Sequence, residues 1–192
     1  MEKEALFYEK IGGDVNCKLC PHNCFIVDGE FGKCNVRVNH EGILYTTNYG
    51  EITSMAQDPI EKKPLYHFKP GSNILSVGSF GCNFSCGFCQ NHIISQGRPR
   101  SEYLSPEKLV EICSDLEDNI GVAFTYNEPS IWYEYVYQSS KLLKEKIKDI
   151  SIVLVTNGYI NEEPIKKILP YVDAMNIDLK SINDIRKRAI IM

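Results

Sequence analysis

Residues 73–89 read "NILSVGSFGCNFSCGFC", a short apolar run followed at once by three cysteines. A run of this length, bounded by glycine, predicts a strand buried on both faces over 73–78, with Cys82, Cys86 and Cys89 on the loop at its C-terminal end. Three more runs of the same kind follow, "GVAFTY" (121–126), "SIVLVT" (151–156) and "AMNIDL" (174–179). Amphipathic segments separate them. Ser105 as N-cap with Pro106 behind it opens a helix to about residue 117, a second helix spans about 130–148, and a third starts near Asn161 and ends before Pro170. The order βαβαβαβ predicts an α/β fold around a parallel sheet. In such sheets the chemistry collects on the loops at the C-terminal edge, where many loops surround one crevice. The second strand delivers Glu128 there, the third Thr156 and Asn157, and the fourth Asp178 and Lys180, whose spacing puts both on one side of a strand.

The preceding stretch has a different texture. It is rich in Gly, Asn and Asp, with a hairpin expected through "GILYTTNYGEIT" (42–53) and a punctuated connector "DPIEKKPLYHFKPG" (58–71). We therefore divide the chain into a Cys-rich module with connector, 1–70, and a catalytic domain, 71–192. At 192 residues, 43% hydrophobic and 24% charged, it has the makings of a real core. No apolar run reaches the roughly 18 residues of a membrane helix, and a net charge of −4 gives no general attraction to nucleic acid. The opening "MEKEALFYEK" lacks the pattern of a signal peptide, so the expected compartment is the reducing cytoplasm, where clustered thiols bind metal or do redox chemistry.

Eight cysteines are present, and seven fall in two groups. The group at 82, 86 and 89 has C-x3-C-x2-C spacing. Iron–sulfur clusters take thiolate ligands, and a [4Fe-4S] site wants four, so a loop that supplies three leaves one iron open to another ligand. The alternative is a structural zinc held by the same three cysteines and His92, within a non-catalytic interaction protein. Phe88 is either core filler or a stacking face for an aromatic ligand.

"CNFSCGFC" resembles the cluster motif of the radical S-adenosylmethionine (SAM) superfamily, and "TYNEP", "VTNGY" and "NIDLK" resemble its pyruvate formate-lyase activating enzyme branch. "CKLCPHNC", "DPIEKKPLYHFKPGS" and "GCNFSCGFCQN" are similar to the radical SAM member of the AmmeMemoRadiSam system, and the likeness runs from about Val15 to Asp184. The resemblance implies a partial (β/α) barrel in which Cys82, Cys86 and Cys89 hold a [4Fe-4S] cluster. It implies that the amino and carboxylate groups of SAM chelate the open iron, and that reductive cleavage yields a 5′-deoxyadenosyl radical that abstracts hydrogen. Phe88, Glu128, Thr156, Asn157, Asp178 and Lys180 become the residues expected to bind SAM or substrate, with Glu128 receiving the ammonium. Where the branch carries two glycines before this glutamate, the chain has Tyr126 and Asn127. Cluster potentials span roughly −700 to +450 mV, and breaking a sulfonium needs the reducing end, so a reductant such as flavodoxin is an expected partner. The resemblance implies a substrate that is a protein or small molecule, handled with a Memo-like partner.

Cys17, Cys20, Cys24 and Cys34 form a second, closed set, which either a structural zinc or an accessory iron–sulfur cluster satisfies. Cys113 reads as a buried small hydrophobe and Lys62 and Lys63 as a solvated run. The resemblance implies six βα units and four are readable. The closing "IRKRAIIM" continues neither helix nor strand, so we expect a truncated or split chain with an uncovered edge at its fourth strand.

Overall fold

The structure, a computed structural model, describes residues 2–181. The closing segment read as neither helix nor strand lies outside them. Short antiparallel strands come first: β1 (Lys3–Glu4), β2 (Tyr8–Ile11), β3 (Asp14–Cys17), β4 (Phe25–Ile26), β5 (Arg37–His40) and β6 (Ile43–Thr46). They make two three-stranded sheets, ordered β1-β6-β5 and β2-β3-β4. Strands β5 and β6 turn through Glu41 and Gly42, both at positive φ, the two-residue turn whose twist suits a hairpin. This turn corrects the hairpin expected over 42–53. With β5 on one edge and β1 on the other, β6 has no edge left, and β7 (Glu51–Ile52) pairs instead with Glu102–Tyr103.

The central sheet contains β8 (Ser54–Pro59) and β9 (Asn73–Gly78), then, past β10 (Glu102–Tyr103), β11 (Asn119–Phe124), β12 (Ser151–Thr156) and β13 (Ala174–Ile177). Its order is β13-β12-β11-β9-β8, with the four expected strands parallel and β8 antiparallel to β9. The first and third strands have the expected bounds. The second starts two residues early and stops before Tyr126, whose φ of 70° leaves the extended region. The fourth ends at Ile177, so Asp178 and Lys180 follow a strand rather than alternate within one.

Helices α1 (His92–Gln96), α2 (Pro106–Asp115), α3 (Tyr133–Lys146) and α4 (Glu162–Ile168) fill the connections. Ser105 caps α2 as expected, accepting from the Lys108 amide at 3.2 Å. The segment expected as one helix from 130 opens with a 3-10 turn, Pro129–Trp132, before α3.

Alternation along the strands splits the core in two. Leu75, Val77, Val122, Phe124, Ile152 and Leu154 face the helices and join Val15, Leu19, Ile26 and Leu44 from the first sheets. Cys113, 5% exposed, belongs to this core, as its sequence context implied. On the other face Ile74, Ala123 and Val153 pack under Ile60, with Leu65 and Phe68 against them. The punctuated connector is therefore a plug on the inner face. Arg37 of β5 and Glu134 of α3, both buried, form an ion pair at 2.5 Å, and Leu6 closes it by accepting from Arg37 and donating to Glu134, each at 2.8 Å.

Candidate functional site

At the C-terminal edge of the parallel strands lies a cavity of about 590 Å³. Its lining includes Cys82, Cys86 and Cys89, with Phe88, Glu128, Thr156, Asn157, Asp178 and Lys180, so every residue expected at the catalytic end faces one space. Loop-to-loop hydrogen bonds set its shape. Asn127 accepts from the Ser79 amide at 3.0 Å and donates to the Gly81 carbonyl at 3.1 Å, while Asn91 donates to the Tyr126 carbonyl at 2.7 Å. These tie the cysteine loop to the loop after β11. Gly81, at φ 88°, crosses so close to the first sheets that a Cβ would fall 2.5 Å from Val36.

Glu128 joins the next pair of loops. It is 3% exposed, and its carboxylate accepts from the Ser130 amide (2.9 Å), the Thr156 hydroxyl (2.6 Å) and the Asn157 amide (2.8 Å). Burial pushes its carboxyl up from the ordinary value, and the three donors offset that only in part. Three of about four acceptor positions on a carboxylate are used, which leaves one on Oε2 for a ligand donor. Glutamine here must turn an NH₂ toward one of these donors. Glu128→Gln is expected to lower unfolding stability by about 1–3 kcal/mol, read in a denaturant titration, with Thr156→Val costing less.

Asn157 donates to Asn83 Oδ1 at 2.8 Å, and Asn83 donates to the Tyr159 carbonyl at 2.8 Å. The Asn83 carbonyl stands 2.7 Å from His22 Nε2, so this residue links the cysteine loop to the N-terminal cysteine group. Cys17, Cys20, Cys24 and Cys34 themselves converge on a cavity of about 10 Å³ that Arg37 also lines. Sequence reasoning missed Asn83, Asn91 and Asn127. Their occurrence beside the cysteines and the glutamate was the available signal.

Burial dominates the electrostatics. It pushes the thiol of Cys82 up to about 12 and raises that of Cys86, so both are protonated at neutral pH until a metal displaces the proton. Cys20 and Cys34 are likewise pushed up by burial, to about 11 and about 12. Lys180 and Asp178 pair at 2.9 Å. Burial disfavours the Lys180 ammonium, but the hydrogen bond and charge of Asp178 more than offset it.

The sequence profile described as the radical SAM superfamily matches residues 76–191. The chain belongs to the radical SAM superfamily. Its curated relatives include the uncharacterized protein MJ0808 of Methanocaldococcus jannaschii, 44% identical over 191 residues, a match that covers 97% of this chain and 56% of that protein. The uncharacterized protein MJ0674 of the same organism is 25% identical over 177 residues, covering 88% and 46%. The chain spans about half the length of the curated relatives it matches.

Radical SAM membership implies a [4Fe-4S] cluster and SAM, and the donor set fits. Three thiols from one loop line the cavity, Cys89 Sγ lies 3.3 Å from Ser95 Oγ, and Cys82 Sγ lies 3.4 Å from the Phe84 amide, the kind of hydrogen bonding that tunes a cluster. Among the described residues no three His, Cys, Asp or Glu side chains form a group that could hold a metal ion. His92, the fourth ligand of the zinc alternative, opens α1 and is not part of the cavity lining. Phe88, 64% exposed, stands at the rim as an open ring face rather than core filler. No helix among the described residues is long and apolar enough to cross a membrane.

Proposed function

We propose that this chain carries the cluster and SAM-binding part of a radical SAM enzyme of the activating-enzyme type, akin to the AmmeMemoRadiSam member, its sheet being the first part of a (β/α) barrel. The observation that supports this best is the single cavity shared by the three cysteines, Glu128, Asn157 and Lys180. When bound, the cluster supplies the electron that breaks the sulfonium carbon–sulfur bond of SAM, giving a 5′-deoxyadenosyl radical. The chain's residues bind and orient. Cys82, Cys86 and Cys89 hold the cluster, Glu128 Oε2 accepts from the SAM ammonium, and Lys180 sits beside Cys86 and Cys89 to attract its carboxylate. Thr156 and Asn157 fix the Glu128 carboxylate. Cys17, Cys20, Cys24 and Cys34 line one small cavity without standing as a ready-made ion site, and they would draw together on a structural zinc or accessory cluster. The hydrogen donor is a protein or small molecule, presented with a Memo-like partner in the cytoplasm, and a flavodoxin-like protein supplies electrons.

Protein made and kept without oxygen is expected to be brown, to carry iron and sulfide, and to yield 5′-deoxyadenosine from SAM on adding dithionite. Colourless protein that holds only zinc under those conditions rules the reading out.

A further inference from the structure

Lys62 and Lys63 read from sequence as a solvated run; Lys62 is exposed as expected, and Lys63 is not. Lys63 is 3% exposed, because the single 3-10 turn Ile60–Lys62 that buries Ile60 in the plug carries Lys63 inward. Both ammonium groups stand 2.9 Å from Asp58, one on each carboxylate oxygen, and the Tyr126 hydroxyl donates to Oδ2 at 3.1 Å. The Lys63 ammonium also lies 5.2 Å from the centre of the Tyr126 ring. All four residues line the cavity of the three cysteines. Asp58 lies in β8 and the two lysines follow it, Tyr126 reaches them from the end of β11, and Asp178 and Lys180 follow β13 at the opposite edge of the sheet.

The arrangement exceeds what the fold requires. A buried ion pair adds little stability over apolar residues of the same volume, and Lys63 with Asp58 already balances its charge. Lys62 leaves one positive charge in excess. Each ammonium has three N–H donors, of which Asp58 takes one. Burial works against the Asp58 carboxylate, and the two lysines more than offset it, so it stays ionised and holds them in place. Tyr126 adopts φ 70°, a backbone that glycine takes without strain, and it packs on Gly78, where a Cβ would lie 2.9 Å from its own.

We propose that Lys62 and Lys63, braced by Asp58 and Tyr126, form an oxyanion subsite that holds a carboxylate or phosphate of the molecule from which hydrogen is taken. This rests on the radical SAM enzyme reading above. The test titrates the full chain, reconstituted without oxygen and with SAM present, with inorganic phosphate and separately with succinate. At least one probe is expected to bind in a salt-sensitive way, the tighter one naming the oxyanion. Lys62→Met and Lys63→Met should each weaken it about tenfold, the loss of one or two charge-assisted hydrogen bonds, while SAM affinity changes less than about threefold. Lys63→Met removes a buried partner of Asp58, so if that variant does not fold, Lys62→Met at its solvent-facing nitrogen decides alone. Failure of both probes to bind the parent protein, or unchanged probe binding in the folded variants, overturns the proposal. Loss of SAM affinity in place of probe affinity also overturns it, assigning the lysines to the cofactor and leaving the radical SAM reading intact. A parent protein that takes up neither iron nor SAM strikes that reading instead.

Discussion

Replacing Cys82, Cys86 or Cys89 by alanine, one at a time, is expected to strip the iron from the loop and to lower 5′-deoxyadenosine formation by at least about a hundredfold, since even outer-shell changes at metal sites cost about 10–100-fold. Two thiolates cannot retain a cluster that needs three. Among the described residues the hydrogen-bonding neighbours of their sulfurs are the Ser95 hydroxyl, the Phe84 amide and the side-chain amides of Asn83 and Asn157, none of which replaces a thiolate. Iron and sulfide analysis beside product formation checks this, and Cys113→Ala, a change in the helix-side core, should keep the full iron content. Cys17→Ala or Cys20→Ala should remove metal from the N-terminal group and leave the loop's cluster spectrum in place. Any of the three loop variants that keeps its iron and its turnover refutes the ligand assignment.

The largest loss of stability is expected from Arg37→Met. It strands the Glu134 carboxylate, already buried with one oxygen lacking a partner, and frees the carbonyl of Leu6. Breaking one side of a buried pair costs about 3–5 kcal/mol. For a chain of this size each kcal/mol is about 2–4 °C, so the melting temperature should fall by about 6–20 °C. Removing both charges in Arg37→Met with Glu134→Leu should recover at least half of the loss, because no ion is then left in an apolar site. A double variant that melts below Arg37→Met would show that the pair acts through something other than mutual neutralisation.

The parallel strands β9, β11 and β12 were legible because they are largely buried on both faces, so their residues are mostly apolar whatever the neighbours. Helix α2 was legible from Ser105 and Pro106, whose effects are local. Strand β8 was not. "SMAQDP" is an edge with mostly exposed side chains, and what makes it a strand is pairing with β9, nineteen residues on at its first residue. The same holds in the site. Three cysteines in eight residues announce themselves, as do the residues at strand ends. The burial of Lys63 does not, since it depends on Ile60 finding the inner face of the sheet. Likewise nothing in "TYNEP" shows that Tyr126 sits at positive φ, packed against the bare backbone of Gly78 across the sheet.

The plug on the inner face means that the unit which folds differs from the unit which is recognised. The superfamily profile begins at residue 76, inside β9. A protein cut there would lose the antiparallel neighbour of its first strand, the lid of the core on the inner face of the sheet and the carboxylate that anchors Tyr126. The profile is carried by the cysteine loop and the strands that follow it, while cohesion also needs the segment before it, in which Ile60 fills the inner face of the sheet. A comparison confined to residues 76–191 therefore misses the part that makes it a solid.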